Sequence, residues 1–143
     1  MSFKSCISVV FGVIGSFITN YLGGWDMAID TLVMFMIVDY LLGLYVAGVL
    51  HNSPKTQSGG LSSDKGIKGL FKKVFILVCV ALMYRLDQLF DIDYLRVGTI
   101  YAFMFQEGVS IIENLGLCGL QIPDVIKNGI DLLNKKGGDS DEN

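Results

Sequence analysis

Charge is scarce in this chain, and so are the residues that build catalytic or metal sites. Only 17% of its 143 residues are charged, and it has two prolines and a single histidine, His51. One histidine and three scattered cysteines, Cys6, Cys79 and Cys118, exclude a zinc-ligand cluster. The cysteines form no CxxC pair and no even set for a disulfide framework. They lie in or near apolar runs, where cysteine acts as a small hydrophobe. The glycine-rich stretch GGLSSDKG places Lys65 before Gly66, so it is not a phosphate loop. No grouping of nucleophile, base and metal ligand appears, so neither enzymatic activity nor a cofactor is expected. The first apolar run follows a lone Lys4 and precedes no A-x-A-like cleavage site, which disfavours a cleaved signal peptide.

Apolar sequence is what the chain has in quantity. Its residues are 52% hydrophobic, with a mean hydropathy of +0.53. A soluble fold of this length has too small a core to hide several runs of about 20 apolar residues. The expected fold class is an all-α integral membrane protein, one multi-pass domain over residues 1–136 followed by an acidic, disordered tail at 137–143. Four runs qualify as transmembrane helices, at about 6–22, 27–50, 70–90 and 95–117. The last three match the ~20 residues that cross a ~30 Å hydrocarbon core. Lipid offers no partner to an open backbone, so each run must be helical. The first is short and glycine-interrupted. Its stripe of Ser8, Gly12 and Ser16 suits close helix approach or a helix lying at the interface, so three crossings stand as the alternative to four. After Pro123, residues 122–136 form an amphipathic helix: Ile122, Val125, Ile126, Ile130 and Leu133 oppose Asp124, Lys127, Asp131 and Lys135.

The distribution of lysine sets an orientation. The link after the second run, HNSPKTQSGGLSSDKGIKG leading into LFKK, holds Lys55, Lys65, Lys68, Lys72 and Lys73 against Asp64 alone. The links at the opposite ends of the runs carry Asp26, Asp30, Asp87, Asp91 and Asp93. Lysine-rich links stay on the cytoplasmic side, which with four crossings makes both termini cytoplasmic. Lys65, Lys68 and Lys72 share one face of a short basic helix entering the third run; with Lys73 they form a cytoplasmic anchor able to meet anionic headgroups.

Two acids then fall near the bilayer midplane: Asp39 in the second run and Glu107 in the fourth. A central acid costs about 2.5–3.5 kcal/mol on insertion scales, so each is expected to face protein, water or a partner chain. No lysine is expected at that depth. Arg85, ~7 Å in from the outer end of its helix, is the nearest cation and pairs with one acid at most. Glu107, Ser110 and Asn114 form one polar stripe, while Glu113 projects away towards water. Asp39, Gly43 and Ala47 make a second row. Polar and small residues are what membrane helices use to associate. The rows therefore fit a polar lock within one bundle, self-association, or a water-filled opening.

Four blocks occur in order: VDYLLGLYVAG, LSSDKGIKGLFKKV, RLDQLFDIDYLR and QEGVSIIENLGLCGLQIP. Over residues 28–135 they resemble the bacteriophage holin family, including the clostridial toxin-secretion holins. The family's aspartate–aromatic–x–x–glycine feature falls on Asp39, Tyr40 and Gly43, and its glycine–lysine loop on Gly66, Lys68, Gly69, Lys72 and Lys73. Its acidic motif falls on Glu107, Gly108, Ser110, Glu113 and Asn114. Leu42 and Gln106 stand where relatives often carry threonine and asparagine. The resemblance implies a homo-oligomer of the bacterial inner membrane that permeabilises it so that an endolysin or a large toxin can pass, with no nucleic-acid partner. A small ion channel or solute transporter using the same acids is the competing expectation.

Overall fold

The computed structural model describes residues 2–138. Five helices follow one another: α1 Phe3–Tyr21, α2 Met27–Gly48, α3 Ser63–Phe90, α4 Leu95–Leu117 and α5 Asp124–Gly138. No strand occurs among the described residues. The fold is all-α, as expected. The basic lead-in and the third apolar run are one continuous helix of 28 residues. The tail at 139–143 lies outside the described residues.

α2 and α4 pack most closely, α3 lies against α4, and α1 lies against α3 over a short stretch. The apolar core sits at one end of this bundle. Leu22, Ile29, Leu32 and Met36 meet Ile76, Val80 and Ile100 there, with Phe103 and Met104 packed around them. These residues recur at three- and four-residue spacing, so each helix turns one stripe inward. α1 has no buried residue. α5 makes no extensive contact with another helix, and Val125 and Leu132 stand exposed on it.

α1 and α2 are long and apolar enough to cross a membrane. α2, with 22 residues, is about 33 Å long at 1.5 Å per residue. α3 and α4 have the length but carry more charge, and that charge orders the core end of the bundle. The Asp26 side chain accepts from the Ile29 N–H at 3.0 Å and caps α2. Asp87, buried near the end of α3, accepts from the Leu95 and Arg96 N–H groups at 3.0 and 2.8 Å. It thereby satisfies first-turn donors of α4 that no helix supplies for itself. Arg96 reaches across to the α1–α2 link, donating to the Leu22 carbonyl at 2.5 Å, the Gly24 carbonyl at 3.1 Å and Asp26 at 2.7 Å. Gly23 in that link has φ +81°, and a Cβ there would strike the Tyr84 ring and Arg96. Only glycine allows the chain to pass so close.

The Arg96 guanidinium bonded to Asp26 holds its carboxyl below the ordinary value of 3.8, against the opposing pull of partial burial. A lowered carboxylate pKa stabilises fully above the ordinary range, and the contribution disappears as pH falls through the lowered value. The Asp26→Asn variant should therefore melt below the wild type at neutral pH, and the gap should close progressively below about pH 4. Asp87→Ala strips a buried cap from α4 and should cost about 1–2 kcal/mol, read as a lower melting temperature in detergent.

Candidate functional site

At mid-height the bundle interior changes from apolar to ionic. The Lys73 ammonium of α3 donates to Asp39 of α2 at 2.8 Å and also to Glu107 of α4. Asn114, two turns along α4, donates its amide to the other Asp39 oxygen at 3.1 Å. All four side chains are buried, Glu107 to 2% exposure. Among the described residues no buried side-chain polar atom lacks a hydrogen-bond partner. One ammonium faces two carboxylates, so the fully ionised group has an excess negative charge.

This arrangement corrects the expectation that no lysine reaches the depth of the acids. Lys73 belongs to the ionic core and not to the exposed basic anchor. The reason is geometric: α3 starts at Ser63, so Lys73 stands near its middle and not at its mouth. It also shares a face with Ile76 and Val80, which are buried on the same stripe. Arg85 takes no part. It is exposed, and its guanidinium lies 4.4 Å from the centre of the Tyr21 ring, a cation–π contact. Lys68 pairs with Asp64 at 2.9 Å on the outside of α3.

The two rows seen in the sequence meet inside one chain. Glu107 and Asn114 face Asp39 and Lys73, with Ser110 half-buried between them. Gly43 and Ala47 continue inward from Asp39 along a cavity of about 340 Å³. Glu113 lies exposed at its edge. Lys55, Lys65 and Lys72 line the same cavity from the α2–α3 link and from α3. Tyr40 closes one side, its hydroxyl donating to the Gly66 carbonyl at 3.3 Å. A Cβ on Gly69 would stand 3.7 Å from the Tyr40 ring, an ordinary van der Waals contact, so the aromatic packs over this stretch of α3.

The sequence reading missed Lys73, Arg96 and Asp87. Lys73 and Asp87 were legible in part, since both fall on the buried stripe of α3. Nothing in the sequence pairs Arg96 with a link 70 or more positions away.

Two helices long and apolar enough to cross a membrane, α1 and α2, accompany a polar interior shared by α2, α3 and α4. Residues 16–135 match the profile of the bacteriophage holin family, and the chain belongs to that family. It is similar to the uncharacterised protein Lmo0128 of Listeria monocytogenes, 35% identical over 135 residues that cover 92% of this chain and 91% of that one. The uncharacterised protein CPE0383 of Clostridium perfringens is 34% identical over 133 residues, 92% and 93% of the two chains. YqxH of Bacillus subtilis, also uncharacterised, is 27% identical over 124 residues, 86% and 83% of the two. No solved structure matches the chain.

The charge imbalance orders a set of variants. Lys73→Met strands two buried carboxylates and should cost about 3–5 kcal/mol, the usual result of breaking a buried pair from one side. Glu107→Gln leaves one ammonium with one carboxylate and should cost distinctly less. Thermal unfolding of detergent-purified protein ranks them, and a Glu107→Gln variant weaker than Lys73→Met contradicts the arrangement.

Proposed function

We propose that the chain is a holin: it accumulates in the bacterial inner membrane, oligomerises and opens it to a large cargo, an endolysin or an exported toxin. The observation that carries this reading is membership of the holin family over residues 16–135. The bundle lends it physical sense. Hydropathy counts the charges of α3 and α4 as though they met lipid, yet Lys73 and Glu107 neutralise one another inside the protein. Asp87 and Arg96 are likewise satisfied by buried bonds. With those charges covered, α3 and α4 present apolar flanks. On this reading the chain crosses four times, with the lysine-rich link and both termini on the cytoplasmic side.

In this reading the Asp39–Lys73–Glu107 group locks the packed protomer. Separating α2, α3 and α4 exposes a lysine, two acids and an asparagine together, which lipid does not tolerate and water does. The same residues therefore seal the resting subunit and become water-lining on opening. Weakening the lock should favour the open state.

Induced expression in a bacterial host with reporters of graded size tests the proposal. Release of a folded cytoplasmic enzyme is expected. Passage of ions alone supports a channel instead, a reading that the buried ionic group beside a cavity also suits, and no leakage at all overturns both. Glu107→Gln and Glu107→Leu, matched for expression, should bring lysis forward, more so for leucine. Unchanged timing in both rejects the role of Glu107 as a lock.

A further inference from the structure

The cavity beside the ionic group has a chemistry of its own. Its floor is Lys73, already bonded to Asp39 and Glu107. Around it stand Lys55, Lys65 and Lys72, none of which forms an ion pair among the described residues. By contrast Lys68, which points away from the cavity, is matched with Asp64. Set against the excess carboxylate of the ionic group and Glu113, the three cavity lysines leave the lining with one net positive charge, which an anion balances. The start of α3 opens on the same space. Its N-cap residue, Ser62, lines the cavity and makes no side-chain capping bond, and a helix start attracts negative charge.

The remaining walls narrow the ligand. Glu113 and Ser110 stand on the α4 side, where their oxygens present acceptors to the hydroxyls of a ligand. Leu44, Leu61 and Val109 supply apolar lining, which a free inorganic ion does not use. A Cβ at Gly43 would meet nothing within 4 Å, so the α2 wall is open at that point. At about 340 Å³, the cavity falls in the ~300–1,000 Å³ range of small-molecule sites.

We infer that this cavity binds the phosphodiester headgroup of an anionic, hydroxyl-bearing phospholipid, with Lys55, Lys65 and Lys72 around the phosphate and Glu113 accepting from the headgroup hydroxyls. Lysine serves phosphate as a point charge, and basic pockets between membrane helices on the cytoplasmic side hold such headgroups. The apolar lining receives the glycerol end of the lipid. The inference rests on the membrane placement given under the proposed function, with the lysine-rich end at the lipid–water boundary. It does not depend on permeabilisation.

The test uses the full chain in mild detergent, titrated with three probes: short-chain phosphatidylglycerol, phosphatidylcholine of the same chain length, and inorganic phosphate. Thermal stabilisation and retention of lipid in native mass spectra are the readouts. Phosphatidylglycerol should bind saturably, with one lipid retained per chain, and phosphatidylcholine and phosphate much more weakly. The triple variant Lys55→Gln, Lys65→Gln, Lys72→Gln should weaken phosphatidylglycerol binding roughly a hundredfold, from a several-fold effect per lysine. Gly43→Leu fills the cavity without touching a charge and should weaken it comparably. Lys68→Gln removes the same charge outside the cavity and should leave binding unchanged. Equal binding of phosphatidylcholine, phosphate binding as tightly as the lipid, or an equal loss in Lys68→Gln each overturns the site. Gly43→Leu binding like wild type does so too. Reporter release is scored apart from binding: a chain that holds the lipid but releases no enzyme keeps this site and loses the holin reading.

Discussion

The bundle turns on the ammonium of Lys73 placed between carboxylates from two other helices. Asp39 and Glu107 are buried on facing helices and would repel each other across a low-dielectric interior. Lys73 converts that repulsion into a tie among α2, α3 and α4. Apolar contact between membrane helices is only weakly directional, since lipid tails are as apolar as leucine. The ionic group therefore fixes register where the apolar core cannot. Sliding any one of the three helices by a single turn, about 5.4 Å, breaks two of its three bonds. Such a group is a poor source of net stability, because burying ions costs about as much as their attraction returns. Its value lies in choosing one alignment of the helices.

The outside of the bundle supports the same account. Phe75 of α3, Leu41 of α2 and Phe105 of α4 are each about 60% exposed, while lysine, aspartate, glutamate and asparagine occupy the middle of the interior. In water that distribution is inverted; in lipid it is the stable one, since the polar groups must satisfy one another away from the hydrocarbon. The apolar core at the Arg96 end and the ionic layer below it are thus two solutions to one problem. One fills space and the other satisfies charge.

Much of this was legible from composition and spacing. The helix positions follow from run length, and α2 and α4 fall within a few residues of the expected bounds. The inward direction of Asp39, Glu107 and Asn114 follows from the cost of facing lipid. Lys73 was hidden by its neighbour. Adjacent lysines on a helix point about 100° apart, so Lys72 and Lys73 cannot share one role, yet together they read as a basic collar. The hydropathy boundary near residue 70 added to this by placing Lys73 at the membrane edge. Arg96 belongs to another category. Its partners, Leu22, Gly24 and Asp26, lie in a link remote in sequence, and only the assembled bundle brings them within reach.

The way the chain is tied has a mechanical consequence. Both short links, between α1 and α2 and between α3 and α4, lie at the end where Arg96 and Asp87 fasten them. The long link at 49–62 and the loosely held α5 lie at the other. The subunit is built like a pair of tongs, riveted at one tip and free at the other. Any parting of the helices swings about the Arg96 rivet, with its widest excursion on the lysine-bearing side.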